Sequence, residues 1–143
     1  TRTYPDLERP NHKVWWYKLE VAKRRVVVSL LALGLPVEPK GKPKDGDEEA
    51  DDGGLAFEFL ADPEDPSLPR VLTGHANGVI TINVAEADDA EREKRRVMLK
   101  EPYRTLLGHV RHLVGRYCGA RLVRDYDPRL AACRELFGDD RLD

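Results

Sequence analysis

Sulfur is scarce in this sequence, with two cysteines and one methionine in 143 residues. Two thiols cannot build a zinc ribbon and could close at most one disulfide. Cys118 and Cys133 each sit in a helical pattern among apolar neighbours. Reduced thiols and a cytoplasmic setting are therefore expected. The opening residues, Thr1-Arg2-Thr3-Tyr4, lack the apolar segment of a secretion leader. Long apolar runs are lacking too. The longest, residues 26–35, is broken by Ser29 and Gly34 and falls short of the ~18 residues a membrane span needs. Nor is one sign of charge in excess. Lys and Arg number 24, Asp and Glu 26, and the net charge of −2 gives no argument for a nucleic-acid partner. What is abundant is aliphatic: hydrophobic residues make up 41% of the chain, which excludes disorder throughout. The length fits a single domain with one core.

The pattern along the chain is α+β. A long helix is predicted after Pro10, with Asn11 as its N-cap. Trp15, Leu19, Ala22, Val26, Leu30 and Leu33 recur at spacings of three and four, and Gly34 followed by Pro36 ends the helix. Lys13, Lys18, Lys23, Arg24 and Arg25 form a basic face, whose simplest reading is solvation. Residues 38–54, basic and then acidic, read as a flexible loop. They carry too little apolar surface to offset the entropy of ordering. Two strands follow. Residues 55–60 alternate around Phe57 and Phe59, and residues 79–84 are β-branched nearly throughout. Asn77-Gly78 marks a turn. An antiparallel pair is expected, with residues 70–72 as a short third strand. Two strands alone are marginal, so they must pack on the helices.

Residues 86–99 predict a charged helix, capped by Asp88 or Asp89 and supported by a Glu91–Arg95 pair. The next helix starts near Pro102, a favourable first helical residue. Its apolar stripe includes Tyr103, Leu106, Leu107, Val110, Leu113, Val114 and Tyr117. A last helix has Asp127 as N-cap, Pro128 next, and Gly138 past its end.

The helix that follows Pro102 carries His109 and His112 three residues apart on one face, with Arg116 a turn further on. A catalytic zinc site of the H-E-x-x-H kind needs His at i and i+4, and a Glu between them as general base. The frame here is His112-Leu113-Val114-Gly115-Arg116. Leu cannot take a proton from a metal-bound water, and a guanidinium cannot ligate a cation. A residual site made from His109, His112 and an Asp such as Asp140 is the remaining metal candidate. Arg116 is expected to pair with Glu135, Asp139 or Asp140. His75 reads as a loop residue, Ser29 has no G-x-S-x-G context, and Cys118 has no evident base.

The stretch Leu72-Thr73-Gly74-His75-Ala76-Asn77-Gly78-Val79-Ile80-Thr81-Ile82-Asn83-Val84-Ala85-Glu86-Ala87-Asp88-Asp89 resembles the bacterial family of zinc-binding metallopeptidases. So do Glu101-Pro102-Tyr103-Arg104-Thr105-Leu106-Leu107-Gly108-His109-Val110-Arg111-His112 and Leu136-Phe137-Gly138-Asp139-Asp140-Arg141. The opening Tyr4-Pro5-Asp6-Leu7, with Lys23-Arg24-Arg25 and Leu33-Gly34-Leu35-Pro36, is similar as well. The resemblance covers the family's central part. It implies a zincin-like α+β fold and, in the family, a zinc ion held by H-E-x-x-H. The family continues from the position of His112 as His-Glu-x-Gly-His-Tyr-Tyr-Trp. Here Leu113, Arg116, Cys118 and Gly119 stand at the Glu, second His, second Tyr and Trp positions. Of the motif's ligands, only His112 carries over.

The expected function is thus a metallopeptidase-like domain without a competent zinc site, either a natural pseudoenzyme or a trimmed and redesigned core. No cofactor is expected. The alternatives are an active zinc peptidase with atypical ligands, and a module that binds a peptide or protein at its sheet edge. Neither a nucleic acid nor a membrane is expected as partner, and the oligomeric state is left open.

Overall fold

The computed structural model describes residues 1–41, 53–98, 105–124 and 127–137. Helix α1 spans His12–Ala32, α2 Asp89–Met98, α3 Leu106–Gly119 and α4 Asp127–Phe137. Strands β1 (Ala56–Leu60), β2 (Gly74–Ala76) and β3 (Val79–Asn83) form a mixed sheet in the order β1-β3-β2. A 3-10 turn, Val84–Ala87, follows β3, and a π-helical turn, Ala120–Arg124, follows α3. The α+β class is as the sequence predicts. The expected loop at 38–54 lies mostly outside the described residues, as do Pro102, Tyr103, Gly138, Asp139 and Asp140.

Burial on α1 follows the sequence periodicity. Leu19, Ala22, Val26 and Leu30 are buried against the sheet and α3. Two of the expected details differ. Leu33 is 72% exposed, because it lies past the last turn of the helix. Asn11 precedes the helix but makes no side-chain cap; its backbone is left-handed, at φ 67°. At the other end Gly34 takes φ 66°, and the Leu35 N–H returns to the Leu30 carbonyl at 2.9 Å. That left-handed close is why a glycine follows the helix.

The sheet corrects the expected pairing. β1 runs parallel to β3, with Phe57 opposite Ile80 and Phe59 opposite Ile82. The antiparallel partner of β3 is β2, whose residues Gly74, His75 and Ala76 face Thr81, Ile80 and Val79. Asn77 (φ 45°) and Gly78 (φ 80°) join these two strands in a hairpin with both turn residues at positive φ. The turn signal was sound, but the strand before it is 74–76 rather than 70–72. Residues before β2 are instead held by side chains. Asn83, 2% exposed, donates Nδ2–H to Asp62 Oδ1 (2.7 Å) and to the Val71 carbonyl (3.2 Å). The Asp62 carboxylate also accepts from Val71 N–H at 2.8 Å. A polar residue buried in a strand must be satisfied in this way.

β3 is central and is buried at Val79, Ile80, Ile82 and Asn83, which accounts for its nearly continuous β-branched sequence. Thr3 bridges Glu58 on the outer edge of β1, and Phe59 N–H donates to the Thr3 carbonyl at 2.9 Å. Beside this edge Glu20 is 7% exposed. Lys23 Nζ donates to Glu20 Oε2 at 2.6 Å, and the Thr1 hydroxyl donates to its other oxygen. Burial alone would push the Glu20 carboxyl up. The hydrogen bonds from Lys23 and Thr1 outweigh it, and the carboxyl sits below its ordinary range.

The expected helix at 86–99 divides. The 3-10 turn takes residues 84–87, and Asp88 then caps α2, its Oδ1 accepting from Ala90 N–H (2.8 Å) and Glu91 N–H (3.2 Å). Glu91 pairs with Lys94 at 2.8 Å, three residues on; the side chain of Arg95, its expected partner, lies outside the described residues.

Candidate functional site

Helix α3 begins where Thr105 Oγ1 accepts from the Gly108 N–H at 3.0 Å. The cap is therefore Thr105, later than the predicted start near Pro102. From there the helix has two faces. Val110, Leu113, Val114 and Tyr117 are buried in the core. Arg111, His112, Gly115 and Arg116 are exposed. The H-E-x-x-H frame straddles this boundary. His112 and Arg116, four apart, point to solvent together, while Leu113 is 4% exposed and packs in the core cluster.

His109 lies at the edge of the buried face, with a side chain 21% exposed, and its Nδ1 is 3.7 Å from Glu86 Oε2. Glu86 stands on the 3-10 turn after β3, is 2% exposed, and its backbone carbonyl accepts from Arg92 Nη1 at 3.2 Å. The pair is an ion pair when the imidazole is protonated. The structure thus separates the two histidines. His109 looks inward toward a carboxylate, whereas His112 looks outward. Among the described residues, no three His, Cys, Asp or Glu side chains converge as a metal cluster. Asp140, the third candidate, lies outside them.

Glu86 is the residue that sequence reasoning passed over. Its signal was its setting: one carboxylate flanked by Val84, Ala85 and Ala87, directly after a buried strand. A carboxylate in such a frame is either at the surface or held by a partner, and here it is buried.

The far end of α3 meets the hairpin. Tyr117 is 1% exposed and donates its hydroxyl to the Gly53 carbonyl at 2.9 Å. His75 meets the Tyr117 ring edge-on, with centroids 6.0 Å apart, and its Nε2 accepts from Gly78 N–H at 3.2 Å. An Nε2 that accepts leaves the neutral ring's proton on Nδ1. His75 is therefore a strand residue tied to the turn and not the loop residue that its Gly-rich surround predicts. Cys118 is half-buried, and burial pushes its thiol up, away from the thiolate that a nucleophile needs. Cys118 and Cys133 are both free. Arg116 makes no ion pair with Glu135 among the described residues, and its other expected partners, Asp139 and Asp140, lie outside them. No helix among the described residues is long and apolar enough to cross a membrane.

The sequence family described as "Putative zinc-binding metallo-peptidase" matches residues 12–143. An uncharacterized protein of Mycobacterium bovis is 44% identical over 126 residues, which covers 88% of this chain and 34% of that protein. Uncharacterized proteins of two Mycobacterium tuberculosis strains match with the same 44% identity and the same coverage. The chain thus spans about a third of the length of these curated relatives (34%). No solved structure matches it.

Proposed function

The chain belongs to the zinc-binding metallopeptidase family, and we propose that within it this domain is a pseudoenzyme, built on the peptidase framework but unable to hydrolyse peptides. One observation carries the reading. Where H-E-x-x-H chemistry needs a general base, the chain has Leu113, and Leu113 is a core residue at 4% exposure. A zinc-bound water becomes a nucleophile when a neighbouring carboxylate takes its proton, and an isobutyl group cannot do so. Arg116, at the second ligand position, is a permanent cation that repels zinc instead of donating to it. Of the motif, His112 alone remains as a donor, and one exposed imidazole does not hold a catalytic zinc. The residues present do not fit the ion. His109 and Asp140 stay secondary candidates for a weak, open site.

A zincin-like assignment of the fold is part of the same proposal. It is supported by α3 lying beside the edge strand β2, which runs antiparallel to β3. The same edge supports a second reading, in which a peptide or protein adds a strand to β2. A cytoplasmic location also belongs here, supported by two free thiols.

The test is metal analysis of protein purified without added zinc, zinc titration by calorimetry, and hydrolysis of a peptide library with and without chelator. The expected result is no tight zinc binding and no chelator-sensitive cleavage. Stoichiometric zinc with chelator-sensitive turnover would establish an active peptidase with atypical ligands and overturn the proposal. Peptide binding that survives His112→Ala supports the edge-strand reading.

A further inference from the structure

Helix α1 has a second apolar stripe that the core does not use. Val14, Tyr17, Val21, Arg24, Val28 and Leu31 follow one another at spacings of three, four, three, four and three. Val14 is 57% exposed, Tyr17 64%, Val28 64% and Leu31 60%. The core stripe, Leu19, Ala22, Val26 and Leu30, lies on the other side of the helix. A three-four alternation is the a/d pattern that seats one helix against another. It is narrower than the broad apolar face with which a helix lies in a membrane surface. Arg24 interrupts it midway, as a polar residue at one such position fixes register.

The exposed charges that α1 itself contributes around this seam are basic. Lys13 and Arg25 are exposed on its two flanks, and the Arg24 side chain is 76% exposed. Glu20 is the sole acidic residue of α1; it is 7% exposed, held by Lys23 at 2.6 Å and reached by Arg24 Nε at 3.8 Å, which leaves Lys13 and Arg25 as the exposed rim. A second copy of the same helix would bring the same basic rim and no exposed carboxylate of its own to meet Lys13 and Arg25.

We propose that the outer face of α1 is a docking site for an acidic amphipathic helix, one that offers its own a/d seam with Asp or Glu on both flanks. The apolar seam supplies the buried area and the basic rim selects the partner. This inference does not rest on the state of the zinc-site residues.

The experiment uses the 143-residue chain and a synthetic probe of three heptads, the 21-residue length of α1, with Leu at a and d and Glu at e and g. Binding is measured by calorimetry, beside a probe with Lys in place of Glu and a scrambled probe of unchanged composition. The acidic probe is expected to bind, and the other two are not. Tyr17→Asp with Val28→Asp should weaken binding about tenfold or more. Both side chains are exposed, so circular dichroism of the variant should match the parent. Lys13→Glu with Arg25→Glu should reverse the preference between the Glu and Lys probes, a change that misfolding would not produce. Failure of the acidic probe to bind overturns the proposal. So does equal binding of the scrambled probe, or equal binding by the Tyr17/Val28 variant. Two further results also overturn it: self-association of the parent that Val28→Asp abolishes, which would assign the face to a second copy, and pelleting with phosphatidylserine vesicles without probe binding, which would assign it to a membrane.

Discussion

Leu113→Glu tests the proposal that position 113 is a core position unable to serve a catalytic base. Leu113 is 4% exposed, among Val110, Val114, Tyr117 and the residues of α1 and the sheet. Removing its side chain from the core forfeits about 1.5–3 kcal/mol of apolar burial. Placing a neutral carboxylic acid there without a partner costs a further ~1–3 kcal/mol. The sum is roughly 2.5–6 kcal/mol, or about 8–20 °C in melting temperature for a chain of this size. The loss should depend on pH. In the folded variant burial raises the carboxyl pKa above its unfolded value of about 4.3. Above that unfolded value the unfolded chain has released its proton while the folded chain still holds one, so stability falls by about 1.4 kcal/mol per pH unit. The decline stops once the pH passes the folded value. Melts of parent and variant from pH 4 to 8, followed by circular dichroism, should diverge as pH rises. Leu113→Met, which conserves volume, should cost less than about 1.5 kcal/mol. If Leu113→Glu melts within a degree or two of the parent at every pH, the position is open to water. A carboxylate could then stand beside a metal, and the argument for a lost base fails.

Arg116→His, on the exposed face of α3, should change stability by no more than about 0.5 kcal/mol and by itself create no tight zinc site; titration calorimetry checks the second point. Lys23→Met leaves the buried Glu20 carboxylate without its 2.6 Å donor, with the Thr1 hydroxyl and Arg24 still beside it, and should cost about 1–3 kcal/mol at neutral pH. The parent's Glu20 carboxyl is held low, so its stabilisation is present above the ordinary glutamate range and is lost as pH falls through the depressed value. Urea melts should accordingly show the parent–variant gap narrowing in acid. Gly78→Ala should destabilise by more than about 2 kcal/mol, because Gly78 holds φ 80° and an added Cβ would lie 1.9 Å from the Gly54 carbonyl oxygen. Cys118, its thiol pushed up by burial, should react with iodoacetamide at neutral pH more slowly in the folded chain than in urea.

The helices were legible because their signals are local. The core stripe of α1, the Asp88 cap and the two-faced pattern of α3 all follow from spacings within a turn or two. The Asn77-Gly78 turn was legible for the same reason, since positive φ at both positions is written into those residue types. Strand partners were not. Residues 55–60 and 79–84 read as a pair, but no local feature says whether β1 meets β3 parallel or antiparallel, and a crossover of intervening chain permits either. Asn83 illustrates the difference. Its sequence position gives a polar residue at a strand end, and only the fold reveals Asp62 and the Val71 carbonyl as its partners.

At the candidate site, the sequence by itself determined which chemical groups exist: His109, His112, Leu113 and Arg116 along one helix. Whether a group can donate to a metal or take a proton is a property of its own side chain, which is why it is legible in the sequence. The tertiary structure decided where each group faces. It put Leu113 in the core, His112 and Arg116 in solvent, and His109 3.7 Å from a buried Glu86. Burial and long-range contact depend on how α3 packs against α1 and the turn after β3, and residues 23 positions apart, such as Glu86 and His109, meet only once that packing forms.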